Sequence, residues 1–160
     1  MKIALCGMLG AGCSEVAQIL TAKTGATVVN SETAVRQVVT DTTKSFREFQ
    51  RRVVSGEVDI DRLIQSQLQE AAVENENLIV EGRSGFMLLD DESFFKALLM
   101  AAEETRARHI MERRSITLDQ ARAEIRHSDA ERRGLVERFF NKEWLAPTNY
   151  HIVLNTGLTS

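Results

Sequence analysis

Only one proline occurs in this sequence, Pro147, and only two cysteines, Cys6 and Cys13. Two cysteines cannot build a disulfide framework, and a reducing compartment is the default for such a chain. An excess of basic charge is also lacking: 20 Lys and Arg stand against 23 Asp and Glu, a net charge of -3. That excludes the globally basic profile of a nonspecific nucleic-acid binder while leaving room for a local anion site. Long apolar runs are missing too. The opening run from Ile3 to Cys6 is too short for a signal-peptide core. Nothing approaches the roughly 20 residues needed to span a bilayer. Repeats, low-complexity tracts and linkers are absent. The chain is therefore expected to be cytoplasmic, with neither a membrane nor a nucleic-acid polymer as partner; oligomeric state stays open.

What is present fits one globular domain over residues 1–160, with 43% hydrophobic and 27% charged residues. At this length folding buries roughly two-thirds of the surface of the open chain, enough for a core without staples.

The chain alternates short apolar runs with helical periodicity. Ile3 to Cys6 is a strand, and Glu15 to Thr24 is a helix with Val16, Ile19 and Leu20 on one side and Gly25 as its stop. Thr27 to Val29 is a second strand, after which Ser31 is expected to cap the next helix. Thr33 to Glu76 is helical in two or three pieces, broken near Asp41-Thr42-Thr43 and near Ser55-Gly56, with Asp61 to Glu74 the firmest. Leu78 to Val80 is a third strand. Phe94 to Met100 fits buried strand or helix by periodicity and is assigned as strand, because a clear helix starts at Glu103. An Arg-rich helical region runs to about Leu145, with breaks near Ser115 to Thr117 and near His127-Ser128, and Pro147 ends it. Tyr150 to Leu154 is the last strand. This order predicts an α/β fold, a five-stranded, mostly parallel sheet covered on both faces.

Between the first strand and helix, Gly7-x-x-x-x-Gly12-Cys13-Ser14 matches the P-loop spacing at every defined position except the lysine. Glycines let several backbone N–H groups converge on one phosphate, and the following helix adds the positive end of its dipole. Ser14 would offer a hydroxyl to Mg2+. A dinucleotide fingerprint starting at Gly10-Ala11-Gly12 fails, because Glu15 occupies a position that must be small and Asn30, not an acid, closes the second strand. Cys13 replaces the lysine that normally bridges the transferring phosphates. It is either a thiol activated by the helix N-terminus or a small residue that fits.

The loop, Val80-Glu81-Gly82-Arg83, Arg106-x-Arg108-x-x-x-x-Arg113-Arg114, Arg126-x-x-Asp129-x-x-Arg132-Arg133 and Val153-Leu154-Asn155-Thr156 together resemble the cytidylate kinase-like family of P-loop nucleoside monophosphate kinases. The resemblance covers nearly the whole chain. Gly10-Ala11-Gly12-Cys13-Ser14-Glu15 is similar to the branch whose loop lacks the lysine.

The resemblance implies a P-loop NTPase-type three-layer α/β/α core over 1–102 and 146–160, with an Arg-rich helical lid over about 103–145. It implies ATP and Mg as cofactors, with ATP held by Gly7, Gly10, Ala11, Gly12, Cys13 and Ser14. A nucleoside monophosphate acceptor, CMP favoured, would lie against Ser31, Arg36, Arg83 and Asp129. Arg36 also fits an ordinary exposed helix arginine. Glu81 could orient a magnesium-bound water or equally pair with an arginine. The lid segment Glu103 to Glu143 holds ten of the basic residues but also nine acidic ones, so many arginines there make ordinary helix pairs. Arg113, Arg126, Arg132 and Arg133 are the set expected to close over the transferring phosphate and to compensate for the missing lysine. Arg126 and Arg132 could act together only if the helix broke near Ser128. Relatives usually continue past the position of Ser160 into a helix near the adenine.

His109, His127 and His151 have no partners at metal-ligand spacing, so no structural metal is expected. Phe86 to Leu89, Phe139-Phe140 and Trp144 are assigned to packing. Two functions remain open: phosphoryl transfer to a nucleoside monophosphate, or nucleotide binding with little or no turnover because of Cys13. Transfer to another small acceptor is a third, since fold does not choose substrate.

Overall fold

A computed structural model describes residues 1–42 and 46–158. Five strands, β1 (Lys2–Gly7), β2 (Thr27–Val29), β3 (Leu78–Gly82), β4 (Phe95–Met100) and β5 (Ile152–Asn155), form one parallel sheet in the order β2-β3-β1-β4-β5. Around it lie α1 (Cys13–Thr24), α2 (Ser31–Thr42), α3 (Phe46–Val54), α4 (Ile60–Glu74), α5 (Glu103–Arg114) and α6 (Leu118–Phe140). Short 3-10 segments occupy Arg83–Leu88 and Pro147–Asn149.

The central strands are apolar throughout because helices cover both faces of a parallel sheet. Ala4, Leu5 and Cys6 of β1 and Leu78, Ile79 and Val80 of β3 are all buried. β1 sits between β3 and β4, so the strand order reverses beside its carboxyl end. Open parallel sheets form their ligand crevice at such a switch point. Phe94 to Met100 is indeed a strand, one residue shorter than predicted.

Helix ends follow local chemistry. Gly25 at φ +66° terminates α1, as predicted. α3 gives way to Gly56 at φ +77°, the predicted break. The break predicted near Asp41-Thr42-Thr43 coincides with the end of α2 at Thr42, and Thr43 lies outside the described residues. Ser31 is not the cap of α2. Asn30 takes that role: its Oδ1 accepts from the Thr33 amide at 3.0 Å, and its own amide donates to Thr33 Oγ1 at 2.9 Å.

The largest departure from expectation lies in the Arg-rich region. α5 ends at Ser115, φ +53°, as predicted, but α6 then runs unbroken for 23 residues. A Thr117–Gln120 capping box starts it. Ala121, Ile125, Ser128, Arg132, Leu135 and Val136 keep one continuous buried stripe, so nothing near Ser128 interrupts the helix. The helix stops at Asn141, φ +50°, well before Pro147, which opens a 3-10 turn instead of ending a helix.

Arg106 fastens α5 to α6 and both to the loop after β1. It is only 3% exposed. Its guanidinium forms a bidentate pair with Asp129 at 3.0 and 2.9 Å, while Nε donates to the Ala101 carbonyl at 3.1 Å and Nη1 to that of Leu9 at 3.4 Å. Among the described residues no helix is long and apolar enough to cross a membrane.

Candidate active site

A cleft of about 990 Å3 opens at the carboxyl ends of β1 and β3, between the 7–14 loop, the start of α2 and the α5–α6 pair. Besides the Arg106 bond to Leu9 O, several contacts brace the loop. The Met8 amide donates to Leu99 O at 3.1 Å and the Ala11 amide to Met8 O at 3.0 Å. Thr156 Oγ1, just past β5, donates to Ala11 O at 3.0 Å, and His109 Nδ1 lies 3.1 Å from Gly10 O. Gly10 and Gly12 adopt φ of +83° and +87°. At Gly10 a Cβ would also stand 2.8 Å from the Arg106 carbonyl, so α5 presses against the loop there.

The first helical amide of α1 with a backbone partner is that of Val16, which donates to Gly12 O. The amides of Cys13, Ser14 and Glu15 precede it at the positive end of α1, and no side chain caps that end. This is a cradle for an anion.

Cys13 does not project into the cradle as a lysine would. Its Sγ lies 1.9 Å from where a Cβ on residue 7 would be, so the thiol folds back over Gly7 and only glycine fits beneath it. Burial pushes the thiol up to about 12, and the Glu81 carboxylate pushes the same way. The thiol is neutral near pH 7. Of the two readings of Cys13, the geometry fits the small residue and not the activated thiol.

Positive charge comes instead from Arg132 of α6. This buried guanidinium donates from Nε to Gly7 O at 3.0 Å and from Nη1 to Ser128 O and Ser128 Oγ, one turn earlier. Its Nη2 has no partner among the described residues, and Arg132 lines the cleft. Burial pulls its pKa below the ordinary arginine value, and the nearby positive charge of Arg83 pulls the same way. Arg83, after β3, lines the same cleft and is anchored through Nη1 to Asp61 at 3.0 Å. Two guanidiniums thus approach one space across from the amide cradle.

Glu81, buried at the end of β3, pairs with no arginine among the described residues. Its Oε1 accepts from Asn30 Nδ2 at 3.2 Å and faces Ser14 Oγ at 3.5 Å. A serine hydroxyl and a carboxylate side by side are oxygen donors of the kind that suit Mg2+. Ser31 Oγ, in the cleft lining, meets Ser84 Oγ at 2.8 Å. Among the described residues no group of three or more His, Cys, Asp or Glu could hold a metal ion.

The remaining expected residues separate. Arg113 lines the cleft, paired with Glu15 at 3.3 Å. Arg126 is turned outward to Glu103 at 3.2 Å, and Arg133 is exposed and outside the cleft lining. Because α6 is unbroken, Arg126 and Arg132 occupy different faces, and the four arginines expected to act as a set do not converge. Arg36 pairs with Glu32 at 2.6 Å on the exposed side of α2 and does not line the cleft. Asp129 is engaged by Arg106. Sequence reasoning missed Asn30, Ser84, Asp61 and Arg106 as members or supports of the site. Asp61 carried a usable signal, since Asp59-Ile60-Asp61 is an acidic helix start; no pattern in the sequence marks the burial of Arg106.

Comparison with known proteins agrees with this architecture. The cytidylate kinase of Methanobrevibacter smithii is 33% identical over 156 residues, covering 98% of this chain and 89% of that protein. A solved structure of an uncharacterized protein from Eubacterium ventriosum superimposes with a TM-score of 0.75 at 17% identity, covering 97% of this chain and 87% of that one. The shikimate kinase of Bacteroides thetaiotaomicron gives a TM-score of 0.61 at 15% identity, over 95% of this chain and 83% of that one, a likeness of fold alone. The model of the cytidylate kinase-like family matches residues 2–158, and the chain belongs to that family.

Proposed function

We propose that this chain transfers a phosphoryl group from ATP to a nucleoside monophosphate, with CMP the favoured acceptor. One observation carries the reading: the uncapped amides of α1 and the guanidiniums of Arg83 and Arg132 border the same cleft. Phosphoryl transfer is mostly positioning and neutralisation of charge on in-line oxygens, and this is the equipment it needs. The glycine loop holds the donor phosphates through main-chain N–H groups. Arg83 holds the acceptor phosphate, with Ser31 beside it and the buried Ser84 steadying Ser31 from behind. Arg132 supplies, through Nη2, the positive charge that Cys13 does not. Arg113, at the rim of the cleft, exchanges Glu15 for the phosphates by a movement of its side chain while α5 stays in place. Ser14 and Glu81 are the residues that fit Mg2+, which when bound shields the phosphate oxygens. The placement of Arg36, Arg126, Arg133 and Asp129 supports roles outside direct phosphate contact.

A second reading, nucleotide binding with little turnover, is favoured by the neutral thiol at position 13. Titration with ATP and assay of ADP release with CMP, UMP and AMP separate the two. Turnover with CMP above the others supports the first. Nucleotide binding without turnover, unrestored by Cys13→Lys, overturns it in favour of the second. Turnover confined to a different small acceptor overturns the choice of CMP.

A further inference from the structure

We propose that Asp61, in the first turn of α4, is a positioning residue that aims Arg83 into the cleft. The proposal rests on the reading of Arg83 as the holder of the acceptor phosphate. Asp61 divides its carboxylate between two arginines from distant parts of the chain. Oδ1 accepts from Arg83 Nη1 at 3.0 Å, and Oδ2 accepts from Arg138 Nη2 at 2.8 Å. Three elements therefore meet on one side chain: α4, the segment after β3, and the end of α6. The carboxylate is only 16% exposed, so its pairing is screened less than that of a surface ion pair. Arg138 is steadied further by Asp59 at 3.6 Å and by the Phe139 ring, 4.8 Å from its guanidinium carbon.

The geometry of Arg83 gives this contact its consequence. A guanidinium has five N–H groups in a planar fork, and Asp61 takes one corner of it. Arg83 makes no other hydrogen bond or ion pair among the described residues, and the side chain borders the cleft. One corner pinned and the rest open is a fork oriented in advance for a phosphate monoester. Asp61 also answers an electrostatic problem. Arg83 and Arg132 approach closely enough that the charge of one lowers the pKa of the other. Before an acceptor arrives, two like charges would drive the mobile partner away, and Arg132 is already fixed by Gly7 and Ser128. Arg83 is the partner free to leave, and Asp61 is what retains it.

The test is isothermal titration of wild type and Asp61→Asn with CMP and, separately, with ATP, alongside thermal unfolding and steady-state kinetics. The expected result is CMP affinity weakened about tenfold, ATP affinity within twofold, and a matching rise in KM for CMP exceeding any fall in kcat. A folded variant that binds CMP as wild type does overturns the proposal. So does an equal loss of CMP and ATP affinity, which marks a general structural role. Should Asp61→Asn fail to fold, Asp61→Glu displaces the carboxylate by one methylene while keeping its charge; unchanged CMP affinity there also overturns it. Wild-type protein that binds CMP without turning it over defeats the kinase reading alone, because the titration still reads Asp61. Wild-type protein that binds no CMP defeats both.

Discussion

Arg132 donates from Nε to the carbonyl of Gly7, 3.0 Å away and 125 residues earlier in the chain. That bond fixes the guanidinium against the floor of the phosphate loop while Nη2 stays open to the cleft. Replacing Arg132 with Met is expected to lower kcat by about 10^2 to 10^3, the usual cost of removing one preorganised charge from a transition state. The Gly7 carbonyl would lose its partner, so a stability loss of about 1–3 kcal/mol is expected as well. Kinetics and thermal unfolding measured on the same preparation check both. An Arg132→Met protein with wild-type turnover removes Arg132 from the mechanism.

Cys13 makes a prediction about reactivity. With its pKa pushed to about 12, the thiol is almost entirely protonated at pH 8. Its alkylation by iodoacetamide is expected to be slower than that of an unperturbed cysteine by on the order of 10^3, rising tenfold per pH unit. Mass spectrometry of the modified peptide as a function of pH measures this. A rate that levels off near pH 8 contradicts it. The raised values of Cys6 and Cys13 also set a sign for stability. Above about pH 8.5 the unfolded chain releases protons that the folded chain keeps. Stability contributed by these thiols is therefore full below that pH and declines as pH rises from there.

Asp129→Ala is expected to be a stability variant first. It would leave the bidentate face of Arg106 unpaired in a site only 3% exposed. Breaking a buried pair from one side costs about 3–5 kcal/mol. Denaturant unfolding measures it; a loss below about 1 kcal/mol, no more than an ordinary surface pair contributes, would contradict the buried-pair account.

Gly10→Ala and Gly12→Ala separate two reasons for glycine. Both positions lie at positive φ, which strains any side chain. Only at Gly10 does a Cβ meet backbone, the Arg106 carbonyl at 2.8 Å; at Gly12 the nearest atom is Glu15 Oε2 at 3.9 Å. Gly10→Ala is expected to lose about 1–2 kcal/mol more than Gly12→Ala by thermal unfolding. Equal losses would mean that conformation alone governs both sites.

The order of strands and helices could be read from the sequence because each rests on local patterns: apolar runs for β1 and β3, and helical spacing closed by Gly25 and Gly56. The loop was readable for the same reason, since its glycines and Ser14 are consecutive. The supposed break at Ser128 shows where such reading stops. A serine and a polar stretch look like an interruption, yet the hydroxyl of Ser128 is turned inward to receive Arg132, a contact made within the folded core. The arginines of α6 illustrate the same point. Arg126 and Arg132 have the same side chain on the same helix, and only the phase of that helix against the sheet turns one outward and the other toward Gly7. Arg83 was found because it follows a strand, whereas Asp61 acts on it across 22 residues and no periodicity connects them.

Thr156 reaches back over 145 residues to hold the Ala11 carbonyl. The loop after β1 is synthesised well before the residue that braces it, which follows 145 positions later. It follows that a nascent chain still lacking β5 carries a slack loop, and that the mature shape of the anion cradle is a late event in folding. Loosening the C-terminal edge of the sheet would reach the cleft by the same route, with no cleft residue altered.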